Sequence, residues 1–190
     1  MAFFTKSEAR AAAAGARGYR SADAVLTESM KRHMPHEEFD IFLSHSIDDA
    51  DLVLGVMLLL QQQGLSVYVD WVVDKQLGRD SVNKETAAVL RERMKHSHSM
   101  MFIATENSSS SKWMPWELGF FDGHKPGLVA ILPLLDSENQ IFQGQEYLGL
   151  YPVVTKHMQN QFMHHFVEDR GNQWSHLRSF ARGSPSWERY

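Results

Sequence analysis

The sequence predicts an α/β protein: a flavodoxin-like, doubly wound sheet of five parallel strands, with a helical extension at the N-terminus. Two observations carry this. Short apolar runs alternate with longer segments of helical period, which implies a parallel sheet covered by helices on both faces. Glycines also fall where helices should stop, as Gly64 does after a polar run of glutamines.

Residues 1–36 form the expected extension. Ser7 can cap a helix running through Glu8 and the alanines, bent near Gly15 and Gly18. A second piece, Ala22 to His33, carries Val25, Leu26 and Met30 at helical spacing, and Pro35 ends it. The domain proper is expected over 37–182. Phe39 to Leu43 is its first strand, and Ser44 to Asp49 is a polar loop. Asp51 to Gln63 is a helix that is apolar nearly all round. Leu65 to Val69 alternates as a second strand, and Asp70 to Ser81 is a long loop. Val82 to Met94 is a helix with Val82, Thr86, Val89, Leu90 and Met94 inward. Met100 to Ala104 is the third strand, followed by four serines and an aromatic helix that ends near Asp122. Pro115 suits the first turn of that helix, where backbone N–H groups lack partners. Leu128 to Leu135 and Tyr151 to Thr155 are the fourth and fifth strands. A C-terminal helix over Trp174 to Ala181 and a tail over 183–190 complete the reading.

Composition excludes several functions. A net charge of −4 argues against a nucleic-acid binder, which would show a basic face. With no cysteine there can be no disulfide, thiolate metal site or Cys nucleophile, which fits a cytoplasmic protein. No apolar run approaches the ~18 residues needed to cross a membrane. The start, Met1 to Lys6, lacks the apolar core of a secretory signal.

The stretch Trp113-Met-Pro-Trp-Glu-Leu-Gly-Phe-Phe-Asp122 is the centre of the functional reading. Trp113 and Glu117 lie one turn apart on one helix face, as do Trp116 and Phe120. One reading is a helix packed through its aromatics with Glu117 at the solvent edge. The other is a carboxylate set among aromatics to meet a sugar edge or a cationic ring. Ligands of doubly wound folds bind beyond the carboxyl ends of the strands. The loops from Ser44 and from Asp70 and the start of the aromatic helix all converge there, which favours the second reading.

Phe39-Asp-Ile-Phe-Leu-Ser-His45, then Tyr68-Val-Asp70 before a long loop, then Ser110-Ser-Lys-Trp-Met-Pro-Trp-Glu117, resembles the Toll/interleukin-1 receptor (TIR) domain family, and within it bacterial TIR proteins. The likeness covers roughly residues 39–156. It implies the TIR fold and one of two modes. Some members are scaffolds. Others cleave NAD+ at the nicotinamide–ribose bond, giving nicotinamide with ADP-ribose or a cyclised isomer. In catalytic members a glutamate on the third helix does the chemistry, with an aromatic residue one turn before it. Those positions are Glu117 and Trp113 here. Ser44, His45, Asp70, Trp71, Arg79 and Trp116 are then expected around the substrate. NAD+ is substrate rather than cofactor, and no metal is implied. The resemblance also implies self-association through TIR–TIR contacts, a role in antiphage signalling, and a separate effector that reads the product.

The residue types suit that chemistry. Nicotinamide leaves NAD+ as a neutral base, so no second carboxylate is needed as general acid, unlike ordinary glycoside hydrolysis. A carboxylate can hold ribose hydroxyls and oppose the oxocarbenium charge. An indole can stack on a pyridinium or adenine ring, and Arg79 can meet a pyrophosphate bidentately. There is no Walker A pattern and no Gly-x-Gly-x-x-Gly. His96, His98, His164 and His165 have no carboxylate at metal-ligand spacing. Ser44-His45 lacks a nucleophile elbow. Asp48, Asp49 and Asp51 are read as a solvated helix start, where the dipole favours carboxylates.

Overall fold

A computed structural model describes residues 2–31, 36–71, 84–138, 140–159, 161–169 and 172–190. The chain opens with a two-residue strand, β1 (Phe4–Thr5), which runs straight into helix α1 (Lys6–Arg17). Thr5, not Ser7, caps that helix. Its hydroxyl accepts from the Glu8 N–H, and the Glu8 carboxylate accepts in return from the Thr5 N–H, a reciprocal capping box. Gly15 lies inside the helix without ending it, and Gly18 closes it at positive φ. Helix α2 (Ala22–Met30) follows, capped by the Ser21 hydroxyl.

The alternating part of the chain follows the expected order. It comprises β2 (Phe39–Ser44), α3 (Ala50–Gln62), β3 (Val67–Tyr68), α4 (Lys84–Lys95), β4 (Ser97–Ala104), α5 (Trp113–His124) and β5 (Val129–Leu135). Beyond it come β6 (Val153–Gln159), β7 (Phe162–Asp169), β8 (Gln173–His176), the short helix α6 (Leu177–Ala181) and β9 (Glu188–Arg189). Strands β3, β2, β4, β5 and β6 lie side by side in that order and are parallel.

The sheet does not stop at the five strands expected. Among the described residues it has nine, because β7, β8 and β9 continue it antiparallel beyond β6, and β1 pairs in parallel with the far end of β5. Trp174, Ser175 and His176, expected in a helix, form strand instead and pair with Glu168, Val167 and Phe166. Part of the expected tail forms β9 against β8. The turns between these strands carry positive φ at Gln161 (68°) and Asn172 (59°), the backbone that tight hairpins require. The expected helix start at Val82, and Pro35, expected to end the Ala22–His33 helix, lie outside the described residues.

Two apolar layers enclose the sheet. On one face Ile41, Leu43, Met101 and Ile103 pack with Leu52, Val53 and Val56 of α3, and with Ala9, Ala13 and Leu26 of the N-terminal helices. On the other, Phe42, Met100 and Phe102 pack with Leu90 and Met94 of α4 and with Met114, Leu118 and Phe121 of α5. Helix α1 crosses α3 where Gly55 meets Ala9. A Cβ on Gly55 would sit 1.9 Å from the Ala9 carbonyl oxygen, so only glycine permits the crossing.

β1 is held in place by charge as well as pairing. The buried Lys156 ammonium reaches the carboxylates of Glu8 (2.5 Å) and Glu138 (3.2 Å) and lies 5.3 Å from the centre of the Phe4 ring. His165 stacks on Phe4 at 5.2 Å. Burial, and then the Lys156 charge, push its imidazole down to about 4 from 6.5, against the pull of Glu8. The folded protein therefore keeps this ring neutral while the unfolded chain takes up a proton. Stability falls as pH drops from about 6.5 towards about 4. In His165→Gln, which cannot titrate, urea midpoints should fall less over that window than in the wild type. Parallel acid limbs would show that other groups set it.

Candidate active site

The packing of α5 decides where its carboxylate goes. Met114, Leu118 and Phe121 enter the core under the helix, and Glu117, on the same side, is carried in with them to 6% exposure. It is not at the solvent edge. On the facing strand, Phe42 and Ser44 share a side because β-strand side chains alternate. The Ser44 hydroxyl donates to Glu117 Oε2 at 2.6 Å. Two residues 73 positions apart in the chain are thus joined at the carboxyl end of β2.

His45 points elsewhere. Its Nδ1 lies 2.8 Å from the Leu43 carbonyl oxygen, an atom that can only accept, so Nδ1 carries the proton. The ring stacks on Trp71 at 5.3 Å and 19°. Trp71 is 1% exposed, and its indole N–H donates to Asp23 Oδ1 of α2 at 2.7 Å. Asp70 is also buried, and the Tyr68 hydroxyl approaches its Oδ1 at 3.5 Å. Burial, then the Asp70 charge, raise the Tyr68 phenol well above its usual range, although Arg93 lies 5.0 Å over the ring. Tyr68 is therefore a neutral donor at ordinary pH.

Trp113 and Trp116 are half-buried. They meet edge to face at 5.4 Å, and Trp116 stacks on Phe120 with the Arg91 guanidinium 5.2 Å above it. The structure thus brings together Ser44 with Glu117, His45 with Trp71, and Trp113 with Trp116. Arg79 lies outside the described residues.

Asp49 was expected in solvent and is not. It is 6% exposed and accepts from the Thr105 hydroxyl (2.6 Å) and the Asn107 amide (2.7 Å). It therefore ties the loop after Ser44 to the turn that leads into α5. No local pattern announces this, because its partners lie 56 and 58 positions downstream. Among the described residues, no group of three or more His, Asp or Glu could hold a metal ion. Among them, too, no helix is long and apolar enough to cross a membrane.

No protein-family model matches the chain. Curated proteins do. Over 138 residues it is 51% identical to a protein of Bacillus cereus (strain MSX-D12) named "Probable 3' cyclic ADP-D-ribose synthase ThsB'", covering 72% of this chain and 71% of that one. The chain belongs to the TIR-domain cyclic ADP-D-ribose synthases. Two further TIR-domain synthases are more distant. "Putative cyclic ADP-D-ribose synthase TIR2" of Cytobacillus dafuensis is 32% identical over 43% of this chain and 22% of its own length. "Probable 2' cyclic ADP-D-ribose synthase TcpO" of Methanobrevibacter olleyae is 32% identical over 52% of this chain and 28% of its own.

Asp49→Ala leaves the half-buried Thr105 hydroxyl and the exposed Asn107 amide without their acceptor. Hydrogen bonds to a charged group contribute about 1.5–3 kcal/mol each, and less where water can replace the acceptor, so chemical denaturation should show a loss of about 1–2 kcal/mol. A loss below about 0.5 kcal/mol, typical of an exposed surface site, would mean that Asp49 ties nothing.

Proposed function

We propose that this chain cleaves NAD+ at the nicotinamide–ribose bond and closes the ADP-ribose that remains into a cyclic isomer, with Glu117 as the catalytic carboxylate. The observation that carries the reading is the 2.6 Å bond from the Ser44 hydroxyl to a Glu117 held in the core at the carboxyl edge of the sheet. A neutral donor supports the ionised carboxylate without cancelling its charge.

The chemistry follows from the bond that breaks. The glycosidic bonding pair leaves with nicotinamide, which departs as a neutral base. The anomeric carbon becomes cationic, and the Glu117 carboxylate opposes that charge and accepts from ribose hydroxyls. A nucleophile within the same molecule then supplies a pair to the anomeric carbon and loses its proton, which closes the ring. Water at the same carbon gives linear ADP-ribose instead, so cyclisation requires water to be kept out. In this reading His45, Asp70 and Trp71 contribute to the substrate pocket from the loops after β2 and β3. Trp113 and Trp116 offer ring faces for the base, and Arg79 a partner for the pyrophosphate.

NAD+ is consumed as substrate. By likeness to bacterial TIR proteins, the role is antiphage signalling in the cytoplasm, with the cyclic product read by a separate effector. Self-association through TIR–TIR contacts completes the site, so activity per subunit should fall across roughly a hundredfold dilution. A flat profile would mean that one subunit suffices.

Chromatography of NAD+ incubated with concentrated protein tests the central claim. Nicotinamide and a cyclic ADP-ribose isomer should appear with the wild type and not with Glu117→Gln or Glu117→Ala. Equal release by the wild type and both variants would place the catalytic carboxylate elsewhere.

A further inference from the structure

The N-terminal segment lies outside the part of the chain that resembles TIR domains, yet it touches every loop that leaves the carboxyl edge of β2, β3, β4 and β5. After β2, Asp51 at the start of α3 accepts from the Arg17 guanidinium at 2.8 Å. After β3, the Trp71 indole donates to Asp23 at 2.7 Å. After β4, Glu106 accepts from the Lys6 ammonium at 2.6 Å, and after β5, Asp136 lies 3.1 Å from the same ammonium. Three side chains spaced along 18 residues thus reach four loops.

The contacts differ in strength. The Arg17–Asp51 pair is solvent-exposed at both ends, and the two carboxylates on Lys6 are largely exposed, so these contribute little by themselves. The Trp71–Asp23 bond is different. Its donor is buried, its acceptor is a carboxylate, and the indole it orients is the ring on which His45 stacks. His45 adjoins Ser44, the donor to Glu117. A continuous path of contacts therefore runs from α2 to the proposed catalytic carboxylate: Asp23, Trp71, His45, the strand end, Ser44, Glu117.

We infer that the N-terminal helices are a clamp that sets the geometry of the active site, and that Asp23 is its principal positioning residue. The inference rests on the NAD+-cleaving reading for its effect on turnover, but not for its effect on the loops. Asp23 meets no reacting atom. It fixes the indole plane, and through the indole the imidazole and the end of β2. Misplacing reacting groups by about 1 Å can cost about 100-fold in rate, so a clamp need supply little binding energy to matter.

The experiment uses the full chain. In Asp23→Ala, kcat/KM for NAD+ should fall by about 10- to 100-fold. Asp23→Asn keeps an acceptor oxygen at the same place and should recover to within about threefold. Adding Asp23→Ala to Trp71→Phe, which already lacks the indole N–H, should lower kcat/KM by less than the product of the two single effects, because both changes remove the Asp23–Trp71 bond. Wild-type kcat/KM in Asp23→Ala, an equal loss in Asp23→Asn, or full additivity with Trp71→Phe would each overturn the assignment. Amide hydrogen exchange supplies a readout that does not depend on NAD+. In Asp23→Ala, residues 44–49 and 69–71 should exchange faster, while β4 and β5 stay protected. Unchanged exchange in those loops would overturn the clamp even if the wild type proved inert to NAD+. Faster exchange with an inert wild type would keep the clamp and reject the substrate.

Discussion

The approach of Ala9 to Gly55 is the constraint on which the arrangement of this molecule turns. Helix α3 covers the centre of one sheet face, and α1 can lie against it only because position 55 carries no side chain. A methyl there would meet backbone rather than a side chain that could swing away, and overpacking of this kind costs about 1–3 kcal/mol or displaces a helix. β1 fixes the start of α1, just before Ala9, by pairing with Leu134 and Leu135 of β5. Held at both points, the N-terminal helices cannot slide, and Lys6, Arg17 and Asp23 are delivered to the loops at the sheet's carboxyl edge.

That edge is organised around buried carboxylates met by neutral donors. Glu117 accepts from a serine hydroxyl, and Asp49 from a threonine hydroxyl and an asparagine amide. Neutral donors orient a carboxylate without setting an opposite charge beside it. For Asp49 the result is a tie between two loops. For Glu117 it is a carboxylate held at a fixed place, so that in the proposed reaction it needs no reorganisation to face a transient cation.

The parallel half of the fold was legible in the sequence because its signals are local. Phe39 to Leu43 and Leu128 to Leu135 are short apolar runs, and they became strands within a residue of the expected bounds. The antiparallel half was not. Trp174 to His176 is too short for its period to separate strand from helix, and its fate was settled by pairing with β7, itself a run broken by two histidines. The helix cap moved from Ser7 to Thr5 because Thr5 is anchored by β5, which no local pattern reveals. The same division holds in the site. Glu117 and Ser44 stood out by position and by family likeness. Asp49 and Asp23 did not, because a carboxylate's neighbours in the chain say nothing about donors some fifty residues away.

The two ends of the nine-stranded sheet have a bearing on how copies of this chain can meet. β3 at one margin and β9 at the other are two residues each. Margins that short offer an incoming strand almost no ladder to extend, and this is one of the ways natural sheets avoid edge-to-edge aggregation. Among the described residues, any ordered assembly of copies would therefore draw on helical faces and loops, held by side chains rather than by a shared backbone ladder.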